Sequence, residues 1–233
     1  MIANSSPRFE EIPPEILSQI ATVSVRMPRL YFYPIRFVRK FFWARLKAIH
    51  RSMLKTVPQR RVAIDFGCGS GVFLPTLANT FDLVQGIDIE AHEAKEIVNA
   101  YKLQNVRLIN ADIYNLNDAQ IEKANAIVAA DVLEHFKELD VPIRRLHEWL
   151  TDDGYLFTSG PSENFLTRWG RILGRIEKPW DHYHTGYEVE QFLELHGFQR
   201  ISPPYHVYRV MPMYILSVWK KAVHELPETR KES

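Results

Sequence analysis

The sequence predicts an α/β protein: a Rossmann-like, doubly wound, mostly parallel sheet preceded by a helical N-terminal extension. Three observations carry this reading. Short apolar runs alternate with longer helical stretches from Pro58 onward. A glycine-rich turn, Gly67-Cys68-Gly69-Ser70-Gly71, joins the first such run to a helix. Before Pro58 the apolar residues follow a helical spacing. Strand and helix in strict alternation give a parallel sheet, and right-handed crossovers place helices on both of its faces. Sheets of this kind bind ligands at the carboxyl ends of their strands, near the point where strand order reverses.

The elements follow in order. Ile35, Val38, Phe42, Leu46, Ile49 and Met53 recur every three or four positions, which marks one face of a helix. Val62–Phe66 reads as the first strand, followed by the glycines and a helix over about 72–79. Leu83–Ile89 is the second strand and Glu93–Tyr101 a helix; Val106–Asn110 is the third strand and Asp118–Lys123 a short helix. Ala126–Ala130 is the fourth strand, with a helix near Pro142–Leu150, and Gly154–Ser159 the fifth. Glu188–His196 is a helix, and Tyr214–Lys220 supplies a last strand before a charged tail. The expected organisation is a helical, basic and aromatic extension over residues 1–57, packing on the sheet or its rim, and a sheet domain over residues 58–233.

Bulk properties narrow the class. A chain of 233 residues, 46% hydrophobic and 24% charged, suits one substantial globular domain with an extension. The single cysteine, Cys68, excludes an internal disulfide and a cysteine-built metal site, so a reducing, cytoplasmic location is the default. No apolar stretch reaches the roughly 20 residues of a membrane-spanning helix. The opening MIANSSPRFEEIPPE carries acids and prolines and does not read as a signal peptide.

The turn after the first strand carries chemistry. Glycines let a backbone turn tightly and approach a ligand, and the amides opening the next helix favour an anionic group. A dinucleotide site wants G-x-G-x-x-G with an apolar residue leading in. Here the spacing is G-x-G-x-G, and Asp65 stands just before the loop. That carboxylate repels a pyrophosphate and suits a ligand carrying an amine and a sulfonium. Asp88 ends the second strand just over 20 residues later, where an acid can accept from both ribose hydroxyls. Ile89 follows it. After the third strand, Asp112 can accept from an adenine amino group and Ile113 can flank the ring. Asp131, Leu133, Glu134 and His135 follow the fourth.

Taken together, residues 61–198 resemble the class I S-adenosylmethionine-dependent methyltransferases, with the motifs in the family's order. The resemblance implies the class I methyltransferase fold and S-adenosyl-L-methionine as cofactor, with S-adenosyl-L-homocysteine as product. It implies that Gly67, Cys68, Gly69, Ser70 and Gly71 wrap the methionine part, with Asp65 near its amino group. It implies Asp88 and Ile89 at the ribose, Asp112 and Ile113 at the adenine, and Asp131 and Leu133 closing the pocket. Where many relatives begin the fourth strand with Asp, this chain has Asn125, which faces away from the methyl group.

Two stretches narrow the match. Asp131 followed by Val132-Leu133-Glu134-His135-Phe136 is similar to the D-x-x-E-H signature of the quinone-biosynthesis and related small-molecule methyltransferases. Pro161 and Asn164, then His182 and His184 before a helix, are similar to a subgroup carrying P-x-x-N and one or two histidines there. Positioning supplies much of the catalysis of methyl transfer. A base is needed only where the acceptor must lose a proton, as a hydroxyl must. His135, His182 and His184 are the candidate bases, and Tyr187 reads as packing. Asp131, Glu134 and His135 also present a pattern able to hold a divalent metal, which the resemblance allows without favouring.

The extension has two readings. Residues 17–61 contain eleven Lys and Arg and no Asp or Glu, with Tyr31, Phe32, Tyr33, Phe37, Phe41, Phe42 and Trp43 among them. Helical apolar spacing usually means core packing with solvated charges. Aromatic residues among cations also suit a helix on an anionic membrane surface, and residues 165–180 repeat the theme with Trp169, Leu173 and Trp180 among Arg168, Arg171, Arg175 and Lys178. The expected function is methylation of a small, lipophilic, glycan- or lipid-linked acceptor, with O-methylation favoured and peripheral membrane association in view. A nucleic-acid substrate using the basic segment ranks lower. Ser202-Pro203-Pro204-Tyr205 lies beyond the fifth strand and reads as a turn rather than a base-recognition tetrad. A cofactor-binding adaptor without catalysis is the remaining alternative.

Overall fold

The computed structural model describes residues 7–21, 28–161, 183–207 and 214–222. Strands β1 (Val62–Phe66), β2 (Leu83–Asp88), β3 (Val106–Asn110), β4 (Ala124–Ala130), β5 (Leu150–Pro161), β6 (Phe198–Arg200), β7 (Tyr205–Val207) and β8 (Tyr214–Lys221) form one sheet. Its order is β3-β2-β1-β4-β5-β8-β6, with β7 also on β8. Strands β1 to β5 pair in parallel, and β8 runs antiparallel to β5, β6 and β7. The order reverses between β1 and β4, which opens the crevice at their carboxyl ends.

The helices are α1 (Pro14–Ala21), α2 (Arg36–Thr56), α3 (Leu74–Ala78), α4 (His92–Ala100), α5 (Asp140–Trp149) and α6 (Gly186–Leu195). Period-two alternation along the buried strands sends neighbouring residues to opposite cores. Ala63, Ala126 and Val128 pack with α1 to α4, and Ile64, Ile127 and Ala129 pack with α5 and α6.

The extension belongs to the first of these cores. Trp43 is fully buried, with its ring against Phe9 and Tyr31, and Leu46, Ile49 and Met53 share its cluster with Leu77 and Val218. Glu10 N donates to Thr76 Oγ1 at 2.9 Å, and His50 Nε2 meets Thr80 Oγ1 at 3.1 Å. Burial, aided by Arg60, lowers the His50 pKa to about 4, so this buried imidazole is neutral at physiological pH.

The structure adds to the sequence expectations and changes some of them. Asp118–Lys123 forms only a 3-10 turn, Asp118–Gln120, because Asn117 accepts from Ala119 N and Asp118 is held by Arg145 and Trp149. Residues 198–207 contribute β6 and β7, each of three residues and too short to show periodicity. The Ser202-Pro203-Pro204 run separates them, since two prolines without N–H groups interrupt a ladder on β8. Strand β8 runs antiparallel, and among the described residues no helix lies between β6 and β8, whereas a parallel pairing needs a long crossover. Tyr187 is exposed rather than packed.

Candidate active site

The carboxyl ends of β1 to β4 place Asp65, Asp88, Asp112 and Asp131 along one edge of the sheet. The glycine turn is lashed to β2. Gly67 N and Cys68 N both donate to Ile87 O, at 2.8 and 3.1 Å, and Gly69 N donates to Asp88 Oδ2 at 2.7 Å. Asp88 Oδ1 also accepts from Glu90 N at 3.0 Å. At Gly67 the backbone has φ +69°, and a Cβ there would lie 2.2 Å from Val132 Cγ2. At Gly71, φ is +76° and a Cβ would lie 2.7 Å from the Ala94 Cα. Only glycine satisfies both conditions at these two positions.

Asp65 is the buried acid of the group. Burial pushes its carboxyl up to about 7, and the nearby Asp88 charge pushes in the same direction. Cys68 and Ser70 are also buried. Burial raises the Cys68 thiol well above its ordinary value, so it remains a thiol. Ile89 is exposed. Asp112 is exposed and its Oδ1 accepts from Tyr114 N at 3.0 Å, fixing the turn after β3. Ile113 and Leu133 are buried in the core with α5 and α6. Asn125 lies at the opposite end of the sheet, where its Oδ1 accepts from Val62 N at 3.2 Å.

Asp131 is the strained member, with φ +53°, a conformation that side chains other than glycine rarely adopt. Its N–H donates to Ser159 O at 2.8 Å, and its Oδ1 accepts from Ser159 Oγ at 3.1 Å. Its other oxygen lies 2.9 Å from Arg45 Nε. Arg45 was not foreseen. Its Nη2 donates to the Tyr31 hydroxyl at 2.9 Å, and its guanidinium carbon stands 4.8 to 5.8 Å from the ring centroids of Phe42, Tyr214 and Tyr31. Nη1 finds no hydrogen-bond partner among the described residues. Burial raises the Tyr31 phenol to about 12 and Tyr214 further, while the Arg45 guanidinium opposes both shifts. Both phenols are neutral at physiological pH. A signal for Arg45 did exist: it falls three residues after Phe42 and four before Ile49, on the apolar face of α2.

The histidines partly converge. Tyr183 N and His184 N donate to Glu134 O at 2.9 and 3.4 Å, and His184 Nε2 meets Lys137 O at 3.2 Å. The segment before α6 is thereby pinned to the loop after β4, with His135 exposed and His184 half-buried. His182, Asn164 and the basic aromatic stretch 165–180 lie outside the described residues. Among the described residues, no three His, Cys, Asp or Glu side chains gather as a metal site, and Asp131 is engaged by Arg45.

Comparison with known proteins fits this geometry. The chain matches the family model described as Methyltransferase domain over residues 37–202, more than half its length. It is 31% identical over 99 residues to (S)-coclaurine N-methyltransferase of Papaver somniferum, a match covering 40% of this chain and 28% of that enzyme's length. Magnesium protoporphyrin IX methyltransferase (ChlM) from Synechocystis PCC 6803 superposes with a TM-score of 0.63 at 18% identity, covering 89% of this chain and 94% of that one. N-methyltransferase NodS from Bradyrhizobium japonicum WM9 gives 0.62 at 16%, covering 88% and 98%. At these identities the two structures share the fold. The family match, together with the sheet order and the glycine turn, makes this chain a member of the methyltransferase-domain family, within the class I S-adenosylmethionine-dependent methyltransferases.

Proposed function

We propose that the chain transfers a methyl group from S-adenosylmethionine to a small lipophilic or lipid- or glycan-linked acceptor, in the cytoplasm or at a membrane face. The observation that carries this is the row of four carboxylates at consecutive strand ends around the glycine turn. The residues present fit the cofactor. A buried carboxyl held near 7 is suited to receive a cation, which restores its ionised form. A Cβ at Gly69 would meet nothing within 4 Å, so the tip of the turn borders open space. When bound, the cofactor supplies a methyl group activated by a sulfonium.

In this reading Asp65 takes the amino group, Asp88 and Ile89 the ribose, and Asp112 and Ile113 the adenine. Gly67 to Gly71 line the methionine part, while Asp131 and Leu133 close the pocket. Arg45, Tyr31 and Tyr214 form the wall beside Asp131. They are a buried cation and two neutral phenols that exclude water and orient what lies against them. His135, His182 and His184 are the groups offered to a hydroxyl acceptor, which must lose its proton as the new bond forms. O-methylation is the favoured outcome on that ground. The names of the two N-methyltransferases above support an amine acceptor as the second reading. A neutral amine attacks with its lone pair and sheds a proton afterwards, so it needs no base in the transfer itself.

Incubating the protein with cofactor labelled in its methyl group, against lipid, small-molecule and RNA extracts, tests this function. Label in a lipid or small-molecule fraction is the expected result. Label in RNA alone points to the nucleic-acid alternative. Cofactor binding without label in any fraction points to an adaptor.

A further inference from the structure

The two readings of the basic aromatic extension divide along α2. Its C-terminal half is core: Trp43, Leu46, Ile49 and Met53 are buried. The start of the helix and the residues leading into it are different. Phe37 is 75% exposed, Ile35 58%, Tyr33 40% and Leu30 39%. Arg29, Arg36 and Lys40 are exposed among them, and no acidic residue occurs between positions 17 and 61. Arg39 Nη1 donates to Tyr33 O and Pro34 O, at 2.7 and 3.2 Å, which fastens the turn that leads into the helix.

Core packing does not account for these residues, because among the described residues their side chains stay exposed. Scattered exposed apolar residues are ordinary on a protein surface. Four within eight positions of sequence, interleaved with cations, are not scattered. Charge without apolar exposure would suit a phosphate backbone. Apolar side chains of this size, offered together with the charge, suit an acyl boundary beneath anionic headgroups. No described helix is long and apolar enough to cross a membrane, so the contact is one of lying on the surface.

We propose that Leu30, Tyr33, Ile35 and Phe37, with Arg29, Arg36 and Lys40, form a docking surface for an anionic lipid bilayer. The surface is continuous in sequence with Tyr31, whose hydroxyl accepts from the site residue Arg45. Docking there sets the wall of the active site next to the bilayer. The proposal rests on the lipophilic-acceptor reading above for its purpose, and on the exposed residues for its existence.

Flotation of the full chain with phosphatidylglycerol–phosphatidylcholine vesicles tests it, alongside calorimetric binding of S-adenosylhomocysteine. The expected result is binding to anionic vesicles at low ionic strength, weakened by salt and absent on pure phosphatidylcholine. Ile35→Ser with Phe37→Ser, and separately Arg36→Glu with Lys40→Glu, should each weaken vesicle binding roughly tenfold or more while leaving cofactor affinity unchanged. Three results would overturn the surface: no vesicle binding by wild type, full binding by both variants, or self-association through Phe37 in sedimentation without vesicle binding. Cofactor affinity that survives in a protein that does not float leaves the methyltransferase reading standing. Flotation without cofactor affinity does the reverse.

Discussion

Arg45 of α2 and Asp131 at the end of β4 stand 2.9 Å apart, Nε to Oδ2, and the pair joins the N-terminal extension to the edge of the sheet where the acids gather. Its partners are unequally buried. The Arg45 side chain is 8% exposed and that of Asp131 22%. Removing one partner of a buried pair leaves the other uncompensated, and the cost grows with the burial of the charge left behind.

Asp131→Ala should therefore destabilise the protein by about 3–5 kcal/mol, because the stranded charge is the guanidinium. Arg45→Met should cost less, since Asp131 can reach water. The double variant should be more stable than the sum of the single losses implies. Urea denaturation of the four proteins measures this, and equal single losses that add fully contradict it.

Asp65 gives a pH dependence of defined sign. Its folded pKa, near 7, lies above the ordinary 3.8, so the folded state holds an extra proton between roughly pH 4 and 7. The stability this group contributes is full below about pH 4 and is lost as pH rises through 7. Asp65→Asn in the ligand-free protein should thus gain on the order of 4 kcal/mol at pH 8 relative to wild type, with the gain gone by pH 4. Cofactor affinity runs the other way, since a cation needs the ionised form. It should fall up to about tenfold per pH unit below 7 and be crippled in Asp65→Asn. Urea denaturation at pH 4 and pH 8 checks the stability claim and titration calorimetry across pH 5–8.5 the affinity claim; a flat affinity profile would count against Asp65 as the amine partner.

Gly67→Ala should lose cofactor affinity by about tenfold or more and lower stability by about 1–3 kcal/mol. The new methyl meets Val132 and an L-residue is strained at φ +69°. Gly67→Ala with Val132→Ala should recover part of the stability, because the collision is relieved and the backbone strain is not. Thermal melts of the two variants separate these contributions.

Trp43→Ala should unfold the sheet and the extension together, at a cost of about 3–5 kcal/mol. The indole packs into the same core as Leu77 and Val218. Coincident melting by far-ultraviolet dichroism and by fluorescence of the remaining tryptophans is the expected result. Separate transitions would mean that the extension folds by itself.

His184→Ala should lower kcat/KM on a hydroxyl acceptor by about 10²–10⁴-fold and leave S-adenosylhomocysteine affinity unchanged. On an amine acceptor the loss should be small. Comparing the two acceptor classes distinguishes a base from a residue that only pins the loop to Lys137.

The alternation of apolar runs makes the parallel sheet, its flanking helices and the glycine turn legible in the sequence, because each rests on local periodicity or on a backbone conformation only glycine reaches. Strands β6 and β7 were not legible, since three residues carry no period. The sequence reads as a short helix where a 3-10 turn forms at Asp118–Gln120, because Asp118 is claimed by Arg145 and Trp149, which lie about thirty residues away in sequence. Asp65 and Asp88 were legible as acids at strand ends. What the sequence could not supply was the buried company of Asp131. Arg45, Tyr31 and Tyr214 come from the extension and the last strand, and only the packed fold brings them together.

The cofactor claim is tested most directly by calorimetric titration of S-adenosylhomocysteine into wild-type protein and Asp88→Ala, with thermal melts in parallel. Asp88 also holds Gly69 N, so the melt separates a lost ligand contact from a loosened turn. Saturable binding to the wild type is expected, with a loss of at least about tenfold in a variant that still melts cooperatively. Absence of binding by the wild type, or binding that Asp88→Ala leaves untouched, would contradict it.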